Sequence, residues 1–146
     1  MQKLLSIATA AVIGATAVYV FSNWTVDEDK SASPTALVPG GPIVSVRLPE
    51  GFTKTALVGK RAFDAVCAEC HGKNATGRNG KGPPLVHKIY EPSHHADAAF
   101  FRAVQNGVQA HHWRFGNMPK LQGMTDGDVK GIIRYVRELQ RANGID

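Results

Sequence analysis

Three hydrophobic patterns divide the chain. Residues Leu4 to Phe21 read LLSIATAAVIGATAVYVF, apolar around the whole helical circumference, and no charge falls between Lys3 and Asp27. With Ser22 to Trp24 the run reaches about twenty residues, enough to cross roughly 30 Å of hydrocarbon as a helix. Tyr19, Phe21 and Trp24 gather at its distal end, where an interfacial aromatic belt sits. From there to about Lys54 the helical period is lost, and SASPTALVPGGP carries turn and breaker residues instead. Only Ile43 to Leu48 offers a short strand or a segment laid along a surface. Beyond it the period returns. Val129, Ile132, Ile133, Val136 and Leu139 predict a final helix, with Thr125 as N-cap, Asp126 and Asp128 in the first turn, and Gly144 at the stop. A middle helix is predicted over Ala96 to Asn106, with Phe100, Phe101 and Val104 inward and Gly107 at its end.

These patterns predict three parts: a transmembrane anchor or signal sequence over 1–24, a flexible tether over 25–53, and an all-α domain over 54–146. Ala8-Thr9-Ala10 and Ala15-Thr16-Ala17 both satisfy a small-x-small cleavage rule. The length of the apolar run nevertheless favours an uncleaved anchor over a cleaved signal. Lys3 ahead of it and Asp27, Glu28 and Asp29 behind it orient the remainder outward, towards the periplasm of a bacterium. A flexible tether of that size typically spans about 30 Å and reaches about 100 Å when pulled out. Charge is concentrated in the last part. Residues 54–146 hold 14 Lys and Arg against 8 Asp and Glu, whereas the first 53 residues are slightly acidic. Nucleic acid is a poor partner for an exported chain despite that basic balance.

The chemistry sits in VCAECHG, which contains both cysteines of the chain, Cys67 and Cys70, followed by His71. C-x-x-C-H is the spacing of covalent c-type haem attachment. Each thiol adds to one porphyrin vinyl group, and the next residue turns its imidazole beneath the ring to bind iron. A thioredoxin-like redox pair has no use for His71, and the alternating strands and helices of that fold are missing. A structural zinc site calls for four ligands, and no second cysteine pair exists.

From about Gly59 to Gln140 the sequence resembles the class I c-type cytochromes, small helical electron carriers built around one covalent haem. GKRAFDAVCAECHG looks like that family's first helix, and GKGPPL like the loop whose proline carbonyl fixes the proximal histidine. The resemblance implies that the Pro83 carbonyl accepts from the His71 ring, and that Met118, in NMP, binds the iron's far side. It also implies that the first and last helices cross at Gly59, against Ile132 and Tyr135. A domain of about ninety residues buries little core alone, so haem is expected to be its largest apolar piece.

The expected cofactor is therefore one haem c with its iron, held by Cys67, Cys70, His71 and Met118. The expected role is electron transfer without enzymatic turnover, from a single-pass inner-membrane position, to redox partners with acidic docking faces. Lys73, Arg78, Lys81, Lys88 and Lys120 are candidates for the basic collar those faces would meet. Met124 is a rival thioether, but its place beside the helix cap favours packing. AHHWRFG leaves other readings open. His111 or His112 could ligate iron, and Trp113 and Arg114 could bond haem propionates. The pairs His94-His95 and His111-His112 could hold copper or zinc as an accessory site. An easily displaced sixth ligand would instead suit gas binding or peroxide chemistry, and a metal-handling protein is a third reading. His87 carries no functional expectation.

Overall fold

The computed structural model describes residues 37–146. The expected membrane segment over 1–24 lies outside them; among the described residues no helix is long and apolar enough to cross a membrane. The described residues form four helices and two 3-10 turns with no strand, as expected for an all-α domain. Helix α1 (Lys54–Val66) opens at Thr53, whose hydroxyl accepts from the Ala56 N–H. The single turn α2 (Ala68–His71) follows across Cys67. After 3-10 turns at Lys73–Ala75 and Lys88–Tyr90 comes α3 (Asp97–Asn106), closed by Gly107 at φ +75°. Helix α4 (Asp126–Ala142) begins with a reciprocal capping box: the Asp128 N–H donates to the Thr125 hydroxyl, and the Thr125 N–H to the Asp128 carboxylate.

Helices α1 and α4 cross at a pair of glycines. A Cβ on Gly59 would overlap the Gly131 carbonyl and lie 2.6 Å from the Ile132 nitrogen, so the two backbones touch with no room for a side chain. The expected crossing glycine is thus in place, but its partner is the backbone of Gly131 and Ile132. Tyr135 lies further along, with its ring 5.3 Å from Phe52 and 5.4 Å from Phe63. Its hydroxyl donates to Asn74 Oδ1. Phe63, Tyr135, Val136 and Leu139 are fully covered, and burying each such side chain is worth about 1.5–3 kcal/mol.

Residues 37–53, within the expected tether, are fixed to this body. The Gly40 N–H donates to the Asn79 carbonyl and the Asn79 N–H returns to Gly41, while Ile43 and Val44 both donate to Thr76. Arg47 and Asn143 exchange bonds at the other end, where the Asn143 amide also accepts from the Arg47 N–H. Ile43 to Leu48 forms no strand and instead lies along the domain surface.

Two polar knots lie on the inward side of α4. Arg137, 6% exposed, donates to Asp97 and to the Tyr90 and His95 carbonyls, while the buried Gln140 amide donates to the Leu85 and Tyr90 carbonyls. Together they tie the loop ahead of α3 to α4. Glu138 accepts from the Thr53 N–H at 3.1 Å, from its hydroxyl at 2.7 Å and from Arg134 at 2.6 Å. Burial works to raise this carboxyl, but the bonds from Thr53 and Arg134 outweigh it and leave the carboxyl below the ordinary range. A depressed folded value means that the unfolded chain binds more protons. The stabilisation from Glu138 is therefore full above its ordinary value of 4.5 and is lost as pH falls through the lower folded value. Glu138→Gln should cost about 1 kcal/mol at neutral pH and progressively less towards pH 3. Denaturant midpoints of both proteins across that range check it; a pH-independent difference would refute the assignment.

Candidate functional site

A cavity of about 550 Å³ opens between α1, α3, α4 and the loop that follows α3. Cys67, Cys70 and His71 line one side of it, and Met118 lines it too. The turn at the end of α1 brings the first three together: the Cys70 and His71 N–H groups both donate to the Cys67 carbonyl. Burial, and secondarily the neighbouring Cys70, push the Cys67 thiol up to about 11. A dithiol redox catalyst depends on a depressed thiol, so this environment argues against thiol exchange. No disulfide joins Cys67 and Cys70.

His71 is oriented as the sequence leads one to expect. Its Nδ1 lies 2.9 Å from the Pro83 carbonyl oxygen. A carbonyl only accepts, so Nδ1 carries the proton and Nε2 keeps its lone pair for a metal. Burial lowers the His71 pKa against the opposing effect of that bond, which favours the neutral, ligating ring. The proline loop is pressed close by glycines: a Cβ on Gly82 would lie 2.6 Å from the Cys70 carbonyl oxygen, and one on Gly77 2.6 Å from the Pro84 nitrogen.

Met118 reaches the cavity from a loop closed at its neck. Val108 and Met118 exchange two backbone bonds of 2.9 Å each, and a Cβ on Gly107 would lie 2.5 Å from the Met118 carbonyl oxygen. Met124 instead packs against the apolar core and does not line the cavity. Phe100 and Val104 of α3 line the cavity as half-covered apolar walls, while Phe101 does not. Trp113 also lines it, and its buried indole N–H has no hydrogen-bond partner. Burial pushes the Tyr90 phenol up to about 12 while the nearby Trp113 indole pulls the other way. That proximity does not reach hydrogen-bond geometry, so the indole N–H is free to meet an acceptor carried by a ligand. Arg114 is exposed.

A family model for cytochrome c matches residues 56–140. The chain belongs to the cytochrome c family. No curated protein and no solved structure matches the chain. A cytochrome c carries covalently bound haem c with its iron, and its role is haem-based electron transfer with redox proteins as partners. The residues present fit that cofactor: paired free thiols beside an imidazole with a free Nε2, one thioether, an apolar wall and an orphaned indole donor for a carboxylate.

Several features of this cytochrome c were not anticipated from its sequence. His87 packs edge-on against Trp113, with ring centroids 5.2 Å apart, and its Nδ1 accepts from the Ile89 N–H. Arg137 and Gln140 of the last helix are buried despite their polarity. The signal was present, because they stand four and seven positions after Ile133 on the apolar stripe. Of the expected basic collar, Lys73, Lys81, Lys88 and Lys120 are exposed. Lys88 pairs with Glu91 at 2.9 Å and Lys81 loosely with Glu69 at 3.8 Å, which leaves Lys73 and Lys120 as the less compensated charges.

Proposed function

We propose that this chain is a membrane-tethered periplasmic electron carrier, with Cys67 and Cys70 as the thioether residues and His71 and Met118 as the iron ligands. The convergence of those four side chains on one cavity carries the reading. When bound, the haem supplies a one-electron Fe(III)/Fe(II) couple. The protein contributes position: Pro83 holds the His71 ring, the Val108–Met118 neck holds the thioether, and both ligands stay put as the charge changes. Lys73 and Lys120 favour an acidic docking face, which makes encounters salt-sensitive. The apolar run Leu4 to Phe21, with Lys3 on one side and three acids on the other, supports the tether and its orientation.

The competing reading, an open site for a gas or peroxide, draws on His111 and His112 lining the same cavity. Exposure of the reduced full-length protein to carbon monoxide separates the two. A carrier with both ligands in place gives a reversible one-electron voltammogram and an unchanged spectrum under the gas. A rapid spectral shift in the unmodified protein would overturn the carrier reading.

A further inference from the structure

His94, His95, His111 and His112 come from two segments sixteen positions apart, and the fold draws them into one cluster. The His94 and His95 rings stack at 4.7 Å, His94 meets His112 at 5.3 Å, His95 meets His112 at 5.4 Å, and His111 lies 4.2 Å from His112. One ring nitrogen from each of His94, His95 and His112 falls within 4.8 Å of the other two. Metal–imidazole bonds of about 2.0–2.1 Å place two nitrogens on one ion at most about 4.2 Å apart. Only a trans pair stands that far apart, and the other separations close to about 3 Å, so the rings must draw in by roughly 1–2 Å; His94 and His112 are exposed enough to turn.

Two of the four rings also have their tautomer set. His95 Nδ1 lies 2.6 Å from the Ile89 carbonyl oxygen and His111 Nδ1 lies 2.8 Å from that of Gln109. Each carbonyl forces the proton onto Nδ1 and leaves a lone pair on Nε2, the tautomer that supports a ligating histidine. The His95 backbone is fixed as well, with its N–H on the Glu91 carbonyl and its own carbonyl bonded by Arg137. The donor set is all imidazole. It excludes hard ions such as calcium and magnesium and suits late first-row ions, among which cupric ion binds nitrogen most tightly.

We propose that His94, His95 and His112, with His111 beside them, form a second metal site at the rim of the haem cavity that binds one Cu²⁺ per chain. The cluster is distinct from the Cys67–His71 motif, and the electron-carrier reading does not depend on it.

The test uses untagged full-length ferric holoprotein, stripped with a chelator and titrated with Cu²⁺ against a coloured competitor. The expected result is one tightly bound ion per chain, an electron paramagnetic resonance signal split by several imidazole nitrogens, and an undisturbed far-red iron–thioether band. His94→Ala/His112→Ala should weaken binding by more than ~100-fold while the haem spectrum, which reports folding, stays unchanged. If the pair proves harmful to folding, His94→Gln alone should still weaken binding at least ~10-fold. Binding that survives these changes, or the absence of a stoichiometric site, overturns the proposal. So does a haem spectrum that changes when His112 is replaced, because that histidine would then be serving the iron.

Discussion

Gly59→Ala should yield little holoprotein, and what forms should unfold at much lower denaturant. Helix propensity alone predicts the opposite, because alanine in a helix interior gains up to about 1 kcal/mol over glycine. The crossing decides the sign. The added methyl points at the Gly131 carbonyl and the Ile132 nitrogen, and neither is the movable end of a side chain. Relief requires α1 and α4 to separate, which loosens Phe63 from Tyr135 at the centre of the core. Overpacking commonly costs 1–3 kcal/mol; against two backbones the cost should reach at least ~3 kcal/mol. That is a large part of the 5–15 kcal/mol that holds a domain together. Gly131→Ala is the control. Its Cβ would stand 3.1 Å from the Gly59 Cα, a tight contact that small shifts can absorb, so its loss should be far smaller. Denaturation followed in the haem band measures both, and equal stability of Gly59→Ala and the parent would refute this account.

Met118→Ala should leave the fold standing and change the iron. The Val108–Met118 bonds are made by backbone atoms, so the loop neck survives truncation. What goes is the thioether, and with it the far-red absorption of the oxidised protein. The reduced variant should bind carbon monoxide where the parent does not. Its potential should fall by a substantial share of the roughly 0.8 V over which axial ligands move haem potentials, since a methionine ligand favours the ferrous state. A far-red band that persists would show that another sulfur serves the iron. Met124, the other methionine among the described residues, packs against the core.

Much of the site was legible because local chemistry dictates it. C-x-x-C-H combines three constraints in five residues, and the resemblance to the c-type cytochromes implied the Pro83–His71 bond. The Thr125 cap and the stripe of α4 were equally plain, since both are matters of sequence spacing. The rest depends on long-range encounters. Residues 37–53 dock mostly through their own backbone atoms, which leave no mark on a hydrophobic pattern. Gly131 as partner to Gly59 was hidden for a related reason: an approach of two main chains is signalled by missing side chains, and glycine has many other uses. The meeting of the two histidine pairs required the paths of two loops, which pairwise spacing cannot supply.

The strap of residues 37–53 changes the geometry of partner choice. On the tethered reading, only residues 25–36, twelve in all, separate the end of the apolar run from the first residue bound to the domain. At full stretch they extend no more than about 40 Å, against the roughly 100 Å that a free tether from residue 25 to 53 would allow. A haem domain on so short a leash cannot shuttle across a wide aqueous gap. On that reading it would explore a thin layer above the bilayer, where any partner embedded nearby would face it at high effective concentration. Such a carrier works as a fixed local relay, with its circuit set by what sits beside it in the membrane.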